Sequence, residues 1–194
     1  GTPIIKLLTE ELSANKVTKI AGMLNGTSNF ILSNMEEGAD FKPTLELAQK
    51  EGYAEPDPTF DIEGMDAAHK IGILSSLAFG TPLPTGDFYV EGISKIEKID
   101  FKYAKEMGYT IKHLAVCKNN EDKIELRAHP VLIKDNSYLA NLKSVRNGIE
   151  VETDLLGTLH IAGSGAGQES TASGVVSDCL LYTSDAADEA WCGV

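Results

Sequence analysis

Apolar positions recur every three or four residues through the first half of the chain, and at alternate positions through much of the second half. Ile4, Leu7, Leu8 and Leu12 predict a helix over 3–13, with Pro3 suited to its first turn. Residues 17–24 read as a short strand that runs into Asn25-Gly26-Thr27. Phe30, Ile31 and Met35 then mark a helix capped by Thr27 or Ser28. Pro43 to Lys50 predict a short helix stopped at Gly52. Ala67, Ile71, Leu74 and Ala78 predict a further helix with Asp61 as its N-cap. Residues 80–86, with two prolines between glycines, form the clearest loop, and globular patterns on both sides argue against a domain linker. Residues 90–93 suggest a short strand, and Phe101 to Met107 a helix closed by Gly108.

After Gly108 the period becomes two. Residues 111–118 and 123–129 read as strands joined by a hairpin loop at 119–122. Ile124, Leu126 and Ala128 face one way, and Glu125, Arg127 and His129 the other. Residues 144–151 and 155–162 make a second pair, turning at Glu152-Thr153-Asp154. The pattern predicts an α+β fold, a largely antiparallel sheet with helices on one face.

Three stretches carry candidate chemistry. Between 53 and 70, Glu55, Asp57, Asp61, Glu63 and Asp66 crowd together and Lys70 closes the run. Pro56 and Pro58 keep Glu55 and Asp57 out of a helix. Asp66 and Lys70 lie one helical turn apart, on a face continuing through Ile73 and Leu77 at the edge of the buried stripe. As an exposed ion pair they would contribute about 0.3–0.5 kcal/mol. As a functional pair, a partly buried Lys70 oriented by Asp66 would exchange a proton with a substrate oxygen. Burial lowers a lysine pKa and a nearby carboxylate raises it, and the sequence leaves that balance open. The strand-to-helix junction at Asn25-Gly26-Thr27 exposes free helical N–H groups to a polar ligand, or is only a connecting turn. The glycine turn at 163–168, before a helix beginning near Thr171, allows close backbone approach to a ligand, or is only a tight turn.

Composition narrows the function classes. The 194 residues suffice for one domain with a sizeable core. A formal net charge of −12 argues against nucleic acid and anionic membranes as partners. No apolar run approaches the roughly 20 residues needed to span a bilayer. Cys117, Cys179 and Cys192 are odd in number and lack C-x-x-C spacing, which points to a reducing, cytoplasmic setting without structural zinc. The four histidines are scattered and form no ligand spacing. The chain lacks a signal peptide's layout and an initiator Met, so it is expected to begin inside a longer protein.

The run Glu55-Pro56-Asp57-Pro58, then Asp61, Asp66 and Lys70 at fixed intervals, resembles the signature of the homoserine dehydrogenase family. The resemblance extends from residue 1 to about 178, with further motifs at 24–28 and 163–173. It implies Lys70 as the acid/base at the substrate oxygen, with Asp66 as its partner. It implies that Glu55, Asp61, Tyr53 and Thr27 hold the amino-acid substrate. Asn25, Gly26, Gly165, Ala166 and Gly167 would line the nicotinamide end of NAD or NADP. The backbone carbonyl of Thr2 is implied as the last ligand of a sodium ion. Ser170 stands where the family has proline, a small departure at a helix start. The implied reaction is reversible reduction of L-aspartate 4-semialdehyde to L-homoserine, in threonine and methionine biosynthesis, by a homodimer or tetramer. The family's preceding Rossmann domain, which holds most of the cofactor, is not in this chain, so the chain alone is expected to be inactive.

Residues 179–194 do not continue the helical pattern. They are expected to be a non-native, poorly packed tail, and a well-buried Trp191 would contradict that. Two rival readings stand beside the dehydrogenase: a related two-domain oxidoreductase acting on another aldehyde, and a non-catalytic module that binds an amino acid.

Overall fold

The computed structural model describes residues 2–84, 88–120, 123–165 and 167–189. Helix α1 begins as Ile4–Lys6 and widens into a π-type turn at Leu7–Glu11. Then follow β1 (Val17–Met23), α2 (Gly26–Glu36), α3 (Phe41–Lys50), a one-turn α4 (Thr59–Ile62) and α5 (Met65–Phe79). A short β2 (Tyr89–Val90) and α6 (Lys98–Glu106) precede two long strands, β3 (Tyr109–Asn119) and β4 (Ile124–Lys134). The chain ends in β5 (Arg146–Thr153), β6 (Gly157–Ser164) and α7 (Gln168–Glu189).

The six strands form one sheet in the order β2-β4-β3-β1-β5-β6. Every pairing is antiparallel except β2 with β4. The α+β expectation with a mostly antiparallel sheet therefore holds. Alternation sorts each central strand between two cores. Ile20, Ala115, Cys117, Ile149 and Val151 pack with Ala67, Ile71 and Leu74 of α5 and Leu8 of α1. On the other side, Ala21, Met23, Leu114 and Val116 are covered by Leu139 and Leu142 from the β4–β5 connection. A third cluster joins α2, α3 and α6 through Phe30, Ile31, Met35, Ala48 and Phe101. Burying each large apolar side chain of this kind stabilises the fold by roughly 1.5–3 kcal/mol. Burial also pushes the Cys117 thiol up to about 12, which makes it an inert core residue.

Local details depart from expectation at the caps. Helix α2 is capped by Asn25, not Thr27 or Ser28: its Oδ1 accepts the Ser28 N–H at 2.8 Å, while the Thr27 and Ser28 hydroxyls bond the Tyr53 and Asp61 carbonyls. Asp61 is not the N-cap of the long helix. It lies inside α4, and Gly64, at φ +83°, separates α4 from α5. Helix α7 starts at Gln168, three residues before Thr171, and the last hairpin turns at 154–156 rather than 152–154. Within α7 the helix passes 178 without a break, and Tyr182 is 75 % exposed. Trp191 lies outside the described residues. No helix among the described residues is long and apolar enough to cross a membrane.

Candidate active site

Three strand ends meet at one edge of the sheet. Met23 pairs with Gly148, and Arg146 with Ser164. The register thus sets Leu24 beside Asn147, and Gly165, just past the end of β6, lies against the Asn147 side chain. The first turns of α5 reach the same edge, since Lys70 Nζ donates to the Leu24 carbonyl at 3.0 Å.

Lys70 Nζ also donates to Asp66 Oδ2 at 2.6 Å. Asn25 then ties the carboxylates together. Its Nδ2 donates to Asp66 Oδ2 at 2.9 Å and to Asp61 Oδ1 at 2.7 Å, while its Oδ1 caps α2. One buried carboxamide therefore links the end of β1, the start of α2, α4 and α5. The lysine side chain is 48 % exposed and the Asp66 side chain 20 %. About half of the lysine side chain is thus covered, and its carboxylate partner is the more buried of the two. An ammonium has three N–H groups. Two are held by Leu24 and Asp66, and the third has no acceptor among the described residues.

The acidic loop closes on α2 from above. Thr27 Oγ1 donates to the Tyr53 carbonyl at 2.5 Å, and the Tyr53 and Phe30 rings lie 5.2 Å apart. Ser28 Oγ donates to the Asp61 carbonyl at 3.1 Å. Gln49 Nε2 donates to the carbonyls of Glu55 and Pro56, both at 3.1 Å. The loop backbone is thus fixed, while the Glu55 carboxylate is exposed and makes no ion pair among the described residues. Beneath the α4–α5 junction sits His113, its Nε2 2.9 Å from the Glu91 carbonyl. Burial depresses its pKa and keeps it neutral at pH 7.

Beside Lys70 lies a cleft of about 210 Å³ with walls of Ile4, Ile5, Leu24, Ile73, Leu74 and Ile149. Thr2, Asn147 and Gly165 also line it, and Thr2 Oγ1 and Asn147 Oδ1 are buried without a hydrogen-bond partner. An apolar cleft with two unused polar atoms beside a held ammonium suits a flat, partly polar ligand next to a proton-transfer group.

A family model described as homoserine dehydrogenase matches residues 3–180. The chain belongs to the homoserine dehydrogenase family. It is 54 % identical over 181 residues to a homoserine dehydrogenase of Neisseria gonorrhoeae, and 51 % identical to one of Pseudomonas aeruginosa. In each case 93 % of this chain aligns with 42 % of the relative, so the chain spans less than half the length of these proteins. The solved homoserine dehydrogenase of Thiobacillus denitrificans superposes with a TM-score of 0.90 at 49 % identity, over 95 % of this chain and 44 % of that one. A hyperthermophilic archaeal homoserine dehydrogenase in complex with NADPH superposes at 0.79 with 28 % identity, over 95 % and 53 %.

In this chain, Lys70, Asp66, Asp61, Asn25, Gly26, Thr27 and the Tyr53 backbone come together as one constellation. Gly165 joins it across Asn147. Gly167, at φ +112°, instead lines a separate recess with Ser164 and Ser170, and Ala166 lies outside the described residues. The Thr2 carbonyl already accepts the Ile4 N–H at 2.8 Å. No group of three or more His, Cys, Asp or Glu residues among the described ones is placed to hold a metal ion. Sequence reasoning missed Asn147. An Asn-Gly pair at 147–148, inside a stretch that pairs as strand, was the available signal, since that dipeptide otherwise favours a turn.

Proposed function

We propose that the protein carrying this chain is an NAD(P)-dependent homoserine dehydrogenase that reversibly reduces L-aspartate 4-semialdehyde to L-homoserine. The observation that carries this reading is the fixed Lys70, held by Asp66 and the Leu24 carbonyl with one direction left open. In the reducing direction the third N–H protonates the developing alkoxide; in the oxidising direction the lone pair there takes the hydroxyl proton. Asp66 keeps the amine aimed in both states. Glu55 and Asp61 attract the substrate ammonium to the rigid acidic loop, and the Tyr53 segment shapes the wall above it.

The cleft beside Lys70 suits a nicotinamide ring, because its walls are apolar and the held ammonium lies at its side. When bound, the nicotinamide supplies or accepts the hydride at C4 of the substrate. Asn25 and Gly26 offer the free first-turn N–H groups of α2, and Gly165 offers a backbone without a side chain. The remainder of the dinucleotide is assigned to a domain outside this chain, as are any further sodium ligands beyond the Thr2 carbonyl. Exposed Val175 and Val176 on α7 fit a homodimer or tetramer, in which such surface is covered. The catalytic domain is assigned to 1–178 and a foreign tail to 179–194, supported by the family match ending at 180. The genomic reading frame beyond Asp178 tests that boundary.

In the full-length enzyme, Lys70→Ala is expected to lower kcat by about 10²–10⁴ with a much smaller change in KM for homoserine. Steady-state kinetics check this. An unchanged kcat removes Lys70 from the mechanism, while homoserine binding without any wild-type turnover supports a non-catalytic module.

A further inference from the structure

On the dehydrogenase reading, we propose that Asn147 is a positioning residue for Lys70: its carboxamide steadies the Leu24 carbonyl that aims the ammonium, and it spaces the Gly26 and Gly165 turns.

Asn147 is held in place from behind. Asn29 Nδ2 donates to the carbonyls of Leu142, Ser144 and Arg146, at 3.4, 2.8 and 3.1 Å. Lys112 Nζ donates to Asn29 Oδ1 at 3.2 Å and to the Leu142 carbonyl at 2.9 Å. Both Asn29 and Lys112 are buried. Gathering these carbonyls around one amide bends the segment before β5 so sharply that Ser144 adopts φ +62°, the one positive φ outside glycine among the described residues. Backbone strain of this kind persists only where surrounding bonds over-determine it. The result is a fixed origin for β5, with Asn147 as its second residue.

In front, the carboxamide fills the space between two glycine turns. A Cβ on Gly165 would collide with Asn147 Nδ2, and a Cβ on Gly26 would lie 3.1 Å from the Val145 carbonyl and 3.6 Å from Asn147 Oδ1. Gly165 is thus required by what Asn147 occupies, and Gly26 has little room beside the Val145 carbonyl. Nδ2 points to the Leu24 carbonyl at 3.5 Å, the same oxygen that accepts Lys70 Nζ at 3.0 Å. A carbonyl oxygen can serve two donors. The opposite amide orientation would set two oxygens against each other, so the chemistry fixes Nδ2 toward Leu24. Asn147 therefore acts on the proton-transfer group through Leu24.

The test is homoserine oxidation by the full-length enzyme across pH, for wild type, Asn147→Ala and Asn147→Asp. The alanine variant is expected to lose about tenfold or more in kcat, with KM for homoserine changed by less than about threefold, since misplacement of a reacting group costs rate before binding. The aspartate variant keeps the shape but sets a carboxylate near the Lys70 ammonium. It should shift the rising limb of the kcat–pH profile to higher pH by about half a unit or more, with kcat recovering at the alkaline end. If Asn147→Ala does not fold, the aspartate profile decides alone. An unmoved limb in Asn147→Asp, with or without a loss of kcat in Asn147→Ala, overturns the inference and leaves Asn147 a packing residue. So does a loss confined to KM. Wild type without turnover overturns the dehydrogenase reading instead.

Discussion

Asn25 and Lys112 show how much a single buried polar group can organise. Asn25 spends its carboxamide on two carboxylates and a helix cap, so the residue between Asp61 and Asp66 is neutral and separates their charges. Lys112 is the opposite case, a cation buried by the Asn29 clamp. Burial brings its pKa down from 10.5 to about 8, offset in part by Glu36. A base depressed in the folded state costs stability while both states are charged, below pH 8. As pH rises from 8 toward 10.5, the folded state is already neutral and the unfolded chain still binds the proton, so stability rises. Relative to Lys112→Met, the wild type is expected to gain up to roughly 3 kcal/mol across that window. Denaturant titrations at several pH values check this, and a flat difference contradicts it.

At the scale of elements, the junction of α4 and α5 sets the direction of α5, which carries the proposed catalytic pair. Gly64 holds φ +83°, and a Cβ there would lie 2.9 Å from His113 Nε2. Gly64→Ala is expected to cost about 1–2 kcal/mol from backbone strain, with further loss from the contact with His113. Because α5 carries Asp66 and Lys70, kcat of the full-length enzyme should fall with it; a lower melting temperature with unchanged kcat would show that the junction supports stability only. This junction marks the limit of what the chain discloses by pattern. The Asp66–Lys70 pair, the Ala67–Ile71–Leu74 stripe and the paired strands after Gly108 follow from local periodicity and are legible. The caps are not, because Asn25, Thr27 and Ser28 are all good cap residues and tertiary bonds to Asp61 decide among them. Asn25 meets Asp61 and Asp66 across 36 and 41 residues, and Asn29 meets Lys112 across 83. No local spacing encodes such meetings; only the strand register does.

At the scale of the molecule, the chain supplies one wall of a site. It carries the proposed proton-transfer lysine, the acidic loop and two glycine turns, and the rest of the dinucleotide is assigned to the part of the full-length protein outside this chain. The isolated chain is therefore expected to show no turnover of homoserine with NAD or NADP, checked by absorbance of the reduced nicotinamide; measurable turnover would mean the cleft beside Lys70 suffices. Joining the chain to the rest of the full-length protein should restore activity.

The carboxamide of Asn25 also bears on how the protein ages. It precedes a glycine, the neighbour that least hinders attack of a backbone nitrogen on an asparagine side chain and loss of ammonia. In the folded chain three hydrogen bonds hold that side chain as the cap of α2, so the nitrogen of Gly26 cannot reach it. Each excursion of this corner from its native arrangement lifts that protection. The product, an aspartate between Asp61 and Asp66, would bring a third negative charge to the same spot and prevent the corner from closing again. Incubation of the full-length enzyme at raised temperature should show deamidation at Asn25 by peptide mass mapping in step with irreversible loss of activity. Deamidation at Asn25 with activity intact would show that the corner tolerates the charge. On this view, the durability of the enzyme is set by how rarely one cap opens.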